Sequence, residues 1–98
     1  MIDKVKPALR VSTDDPGILS EIEGLIAAAR LDLIQAGVSP AKAEDDGDAL
    51  IERAIVTYCK ANFGYDNPEA VRFHDSYVML KQHLCLYGDY KEVSTGEA

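Results

Sequence analysis

Residues 16–37, PGILSEIEGLIAAARLDLIQAG, give a strong indication of the fold. Its apolar residues recur in steps of three and four, which places them on one face of a helix. Pro16 suits the first position of a helix, and Gly37 suits its end because glycine tolerates left-handed backbone angles. The pattern therefore predicts a helix over residues 16–36, with an apolar stripe formed by Ile18, Ile22, Leu25, Ile26, Ala29, Leu33 and Ala36.

Two later segments repeat this helical spacing. Residues 48–62 predict a helix whose stripe contains Ile51, Ile55, Tyr58 and Cys59, widened by Leu50 and Ala54. Residues 68–87 predict a third helix, because their apolar residues recur at an average of 3.5, the period of a seam between packed helices. That seam consists of Ala70, Phe73, Tyr77, Leu80, Leu84 and Tyr87.

The remaining segments are short. Residues 2–9 predict a helical turn that Pro7 interrupts, and residues 38–48 predict a loop. We expect an all-α fold, a small bundle of three main helices plus a short N-terminal helical turn. Residues 1–88 are predicted to form this single domain, and the polar residues 89–98 a flexible C-terminal tail.

The charge excludes several classes of protein. The 98 residues contain 17 acidic and 10 basic side chains, a net charge of −7. This negative charge argues against a protein that binds the phosphates of nucleic acids or the surface of an anionic membrane. It has neither an apolar run long enough to span a bilayer nor a signal-peptide core, so we expect it to be made and kept inside a cell. Residues 14–52 carry ten acids against Arg30 and Lys42, a net of −8.

The acidic loop does not match a calcium-binding loop. With Gly47 at position 6 of an EF-hand loop, Lys42 and Arg53 would occupy two ligand positions. Helix caps and a solvated loop explain these acids better.

The remaining chemistry-bearing residues also point away from an enzyme. His74 and His83 lie nine residues apart, on opposite sides of one helix. Cys59 and Cys85 lack a CxxC spacing, so we interpret both as reduced thiols. The alternative that the sequence leaves open is a structural disulfide between them. We predict no catalytic, cofactor-binding or metal-binding residues, and no cofactor.

Three parts of the chain carry a family resemblance. They are LRV at 9–11 before the two aspartates at 14–15, LIAAA at 25–29, and ANFGYDNP at 61–68. With the helical pattern over residues 3–90, they resemble the small phage head–tail connector proteins, also described as phage DNA-packaging proteins.

The resemblance implies a structural subunit of a phage or prophage. Such subunits form a homo-oligomeric ring of about 12–13 copies below the portal protein. The ring extends the channel for double-stranded DNA, which passes without specific binding, and supports the attachment of a tail-completion or stopper protein. The implied location is the head–tail interface of the virion, after synthesis in the bacterial host cytoplasm, and no membrane is involved.

Two sets of residues are candidates for these contacts. We expect channel-lining acids among Glu44, Asp45, Asp46 and Asp48, and portal or subunit contacts at Leu86, Tyr87 and Tyr90. An alternative from another class is a small acidic helical binding module, or an inhibitor that mimics nucleic-acid charge. It would be a monomer that binds a basic protein.

Overall fold

Five helices form the part of the chain that the structure describes. The computed structural model describes residues 1–64, 67–86 and 90, and this part of the chain contains no strand. The helices are α1 (Ile2–Ala8), α2 (Pro16–Gln35), α3 (Pro40–Ala43), α4 (Ala49–Asn62) and α5 (Ala70–Leu86). The predicted all-α bundle is confirmed. The predicted domain end at residue 88 and the predicted tail at 89–98 lie outside the described residues, apart from Tyr90.

Short polar side chains cap three of the helices. Asp15 Oδ1 accepts hydrogen bonds from the backbone N–H groups of Gly17 and Ile18, at 2.8 and 3.2 Å. Ser39 and Asp48 act in the same way at the first turns of α3 and α4. Because the first N–H groups of a helix have no partner within it, these caps determine where each helix begins.

Two sequence-based expectations about the first half of the chain are wrong. Pro7 lies inside α1 and does not interrupt it, and Val5 of the same helix is fully buried. Pro7 has no N–H to donate within the helix, but α1 ends one residue later at Ala8, so the proline removes at most one intrahelical hydrogen bond. The predicted loop at 38–48 contains α3, whose four residues are too few to show a helical periodicity.

Helix α4 lies at the centre of the bundle and packs against both α2 and α5, while α1 contacts α2 and α4. The rings of Tyr58 on α4 and Tyr77 on α5 meet edge to face, with centroids 5.0 Å apart. The predicted stripes supply most of the core, since the buried residues of the long helices are Ile22, Ile26, Ala29, Leu33, Ile51, Ala54, Ile55, Cys59, Tyr77 and Leu84.

Helix α5 also begins later than expected. The sequence predicted its start at Pro68, but Pro68 and Glu69 form a turn and the helix begins at Ala70. Asn67 still acts near this start, because its side-chain oxygen accepts a hydrogen bond from the Glu69 backbone N–H at 3.0 Å. Within the described part of the chain, no helix has both the length and the apolar character needed to cross a bilayer.

Candidate assembly surfaces

Asp46 is held by contacts within the chain. Its carboxylate accepts a hydrogen bond from the Arg30 guanidinium at 2.7 Å and one from the N-terminal amine of Met1 at 3.3 Å. The hydrogen bond from Arg30 is the main reason that the pKa of Asp46 lies below its usual value. Arg30 also donates to the backbone carbonyl of Ala43 at 3.0 Å. Asp46 therefore ties the segment after α3 to α2 and to the N-terminus.

Asp48 is also occupied within the chain. It caps α4, and its second oxygen accepts a hydrogen bond from the Tyr90 hydroxyl at 2.7 Å. Burial raises the pKa of Asp48, but the hydrogen bonds from Tyr90 and from the backbone N–H groups of Ile51 and Leu50 outweigh it and lower the pKa. The side chain is 12% exposed, so Asp48 offers little carboxylate surface to a partner.

Glu44 and Asp45 are the two channel candidates that face solvent. Both are exposed, and neither has an ion pair among the described residues. The Asp45 carboxylate accepts a local hydrogen bond from the Gly47 backbone N–H at 3.0 Å. The structure therefore separates the four predicted acids into two structural residues and two that present charge outward.

The predicted contact residues at the chain end also differ from one another. Leu86, at the end of α5, is 78% exposed, whereas Tyr87 lies outside the described residues. Tyr90 is half-buried, and its carbonyl accepts a hydrogen bond from the Ser39 backbone N–H at 2.7 Å. The Lys42 ammonium lies 5.1 Å from the centre of its ring. Tyr90 thus packs on α3 and on the start of α4.

The sequence-based reasoning missed a groove between α4 and α5. It has a volume of about 590 Å³ and an apolar floor that includes Val56, Phe73 and Leu80. Arg53 and Lys60 border it from α4, and the Lys60 ammonium lies 5.3 Å from the centre of the Phe73 ring. One signal was available in the sequence: Arg53 and Lys60 are seven residues apart and so share the face of α4 opposite its apolar stripe.

The histidines and cysteines are not brought together. His74 and His83 are both exposed on α5, and no group of three or more potential metal ligands occurs in the described part of the chain. Both cysteines are free, and Cys59 is buried. Burial raises the pKa of the Cys59 thiol to about 11, so the thiol stays protonated at neutral pH.

The described surface thus combines outward-facing acids at Glu44 and Asp45 with a groove bordered by Arg53 and Lys60. A family model described as phage connector protein matches residues 1–91. The chain therefore belongs to the phage connector protein family, whose members are structural components of the phage particle. No curated protein and no solved structure matches the chain.

Proposed function

We propose that this chain is a subunit of a head–tail connector ring, which assembles below the portal protein and extends the channel for double-stranded DNA. The observation that carries the proposal is the family match over residues 1–91. The fold supports it, because a small helical domain with different surfaces on opposite sides suits head-to-tail closure into a ring. The same ring would support the tail-completion or stopper protein.

The charges of the domain support passage of DNA without specific binding. Glu44 and Asp45 are the acids of the predicted channel set that face solvent without an ion pair among the described residues. Carboxylates on a channel wall repel the phosphates of duplex DNA, so the duplex does not adhere to the wall. We therefore assign the channel-facing charge to Glu44 and Asp45, and a structural role to Asp46 and Asp48.

The alternative, an inhibitor that imitates the charge of a nucleic acid, fits the structure less well. Such a protein needs carboxylates repeated along an exposed surface. Here Asp32, Asp46 and Asp48 accept hydrogen bonds from groups of the same chain. These three carboxylates already have hydrogen-bond partners within the chain, so less negative charge is available to a basic partner protein.

Assembly on purified portal rings tests the proposal. The chain is mixed with portal rings of the same phage, and the complexes are examined by native mass spectrometry and electron microscopy. We expect a closed ring of about 12–13 copies seated on the portal. A chain that stays off the portal and instead binds a basic protein as a monomer would overturn the proposal.

A charge reversal tests the assignment of the channel wall. Glu44→Lys is compared with Asp14→Lys, a similar charge reversal at a side chain that is 92% exposed and pairs with Lys6. We expect both variants to form rings and Glu44→Lys alone to reduce the number of infectious particles per assembled ring. Equal infectivity of the two variants would contradict the assignment.

A further inference from the structure

The groove between α4 and α5 combines an apolar floor with a basic border. None of the residues that line it is acidic, although the whole chain has a net charge of −7. Met79, on the α5 side, is 70% exposed, so a large apolar side chain is left uncovered by the described part of its own chain. A groove of this kind fits an apolar side chain flanked by carboxylates.

The outer face of α2 has the complementary character. Leu31 projects from it with 55% of its surface exposed. The exposed Glu21 and Glu23 lie two to three turns nearer the N-terminus, each about 80° around the helix from the direction of Leu31 and on opposite sides of it. Both glutamates are exposed and make no ion pair within the described residues. The other residues along this line are all exposed and small or polar: Ser20, Gly24, Ala27 and Gln35.

The two surfaces point away from each other. At about 100° per residue, Arg53 and Lys60 lie about half a turn around α4 from the buried Ile51. Leu31 likewise lies about half a turn around α2 from the buried Ile22. Because α2 and α4 pack against each other through their buried sides, one copy cannot bring its own groove to its own α2 face.

We propose that the α4–α5 groove binds the outer face of α2 from a second copy of this chain, with Leu31 against Met79 and the two glutamates against Arg53 and Lys60. The contact is head-to-tail, and each copy keeps one groove and one α2 face available for the next. This inference rests on the proposed function in that a connector ring requires such a contact. It adds the surfaces and residues through which the ring closes.

Apolar and charged contacts have different tasks in this interface. Leu31 and Met79 lose exposed apolar surface on association, which favours binding. The charges select the partner and its orientation, because a groove facing another groove would bring like charges together. Since the charged groups lie at an exposed border, the association should weaken as the salt concentration rises.

A charge swap between two variants tests the proposal. Variant A carries Arg53→Glu and Lys60→Glu, and variant B carries Glu21→Lys and Glu23→Lys. Association is measured by sedimentation velocity over a concentration series up to about 1 mM, the range of weak protein contacts. We expect the unmodified chain to associate and each variant alone to associate at least about 100-fold more weakly. An equimolar mixture of A and B should associate again, because every groove then meets an α2 face of opposite charge.

Two further variants separate this contact from general effects of charge and folding. Glu44→Lys with Asp45→Lys makes the same change in net charge as variant B but lies outside both surfaces, so association should be unchanged. Leu31→Ser removes the apolar group without altering any charge and should weaken association. Circular dichroism should show the same helix content for all variants, because every altered side chain lies outside the buried core.

Several outcomes would overturn the inference. They are an unmodified chain that is monomeric at about 1 mM, a variant A or B that associates normally, and a mixture that does not recover. Variant A could instead shift the amide NMR signals of residues 91–98 without changing association. The groove would then bind its own chain, and the inference would be wrong.

The proposed function fails in a different way. The unmodified chain could associate, and the mixture of variants A and B could recover association, while the chain does not bind portal rings. That result would overturn the connector role alone. Variants A and B that join portal-bound rings as well as the unmodified chain does would overturn only the contact.

Discussion

The contact between the end of α2 and the middle of α5 depends on one carboxylate. Asp32 Oδ2 accepts a hydrogen bond from the Tyr77 hydroxyl at 2.6 Å and one from the Lys81 ammonium at 3.0 Å. The Tyr77 side chain is otherwise enclosed by the core, since the residue is only 2% exposed. Burial raises the pKa of Asp32, but the hydrogen bonds from Tyr77 and Lys81 outweigh it and lower the pKa.

Tyr77→Phe should therefore destabilise the fold in a measurable way. It removes a hydrogen bond to a charged acceptor, which contributes about 1.5 kcal/mol to the free energy of unfolding. Asp32→Ala should cost more, about 2–3 kcal/mol, because it leaves the buried Tyr77 hydroxyl without an acceptor. For a domain of this size, a loss of 1.5 kcal/mol lowers Tm by about 6–12 °C.

The assay is a double-mutant cycle of urea unfolding, followed by circular dichroism at pH 7. We expect the variant with both changes to be less destabilised than the sum of the single variants, by about 1 kcal/mol or more. Lys81→Met is a useful comparison, because it removes the second, more exposed partner of Asp32 and should cost less than 1 kcal/mol. A Tyr77→Phe variant within 0.3 kcal/mol of the unmodified chain would refute this reasoning, as would a coupling energy near zero.

Three further predictions concern stability. Acid should destabilise the fold below about pH 4. Asp32 and Asp48 have lowered pKa values in the folded state, so their carboxylates stabilise the fold at pH values above the pKa of the unfolded chain. This stabilisation is lost as the pH falls through the pKa of the folded state. Urea titrations between pH 7 and pH 2 would show no such loss if these contacts were absent. Gly24→Ala should stabilise monomeric chains by about 1 kcal/mol, because an added Cβ meets no atom within 4 Å. Gly37→Ala should destabilise them by about 1–2 kcal/mol, because Gly37 has φ of +115°. Thermal melts that rank the two variants in the opposite order would contradict this prediction. Asp48→Ala should cost about 2 kcal/mol through the lost cap and the lost Tyr90 hydrogen bond, and urea unfolding of Tyr90→Phe should show only about half of that cost.

The long helices could be predicted from the sequence because their signals are local. The apolar period of residues 16–36 and the caps at Asp15 and Asp48 depend on neighbours within a turn or two. Helix α2 begins at Pro16, as predicted, and α4 begins at Ala49, one residue after the predicted start at residue 48. The main errors occur where the local signal is weak or too short, at Pro7 in α1 and at the four residues of α3.

The candidate surfaces could be predicted only in part. The acidic run around Glu44 was evident as a cluster of charge. No local pattern indicated that Arg30, sixteen residues before Asp46, would bind one of these carboxylates while Glu44 and Asp45 remained exposed. Local spacing does not reveal which distant residue will be a neighbour.

Local patterns in the sequence were enough to predict the helical class, the starts of α2 and α4 to within one residue, and most of the core, because periodicity and capping are properties of neighbouring residues. The folded chain was needed to reveal the pairing of Asp32 with Tyr77, the packing of Tyr90 on α3, and the groove that Arg53 and Lys60 share with α5. Each of these joins residues from separate helices. Their distances are fixed by how the helices pack, and no local pattern along the chain encodes that packing.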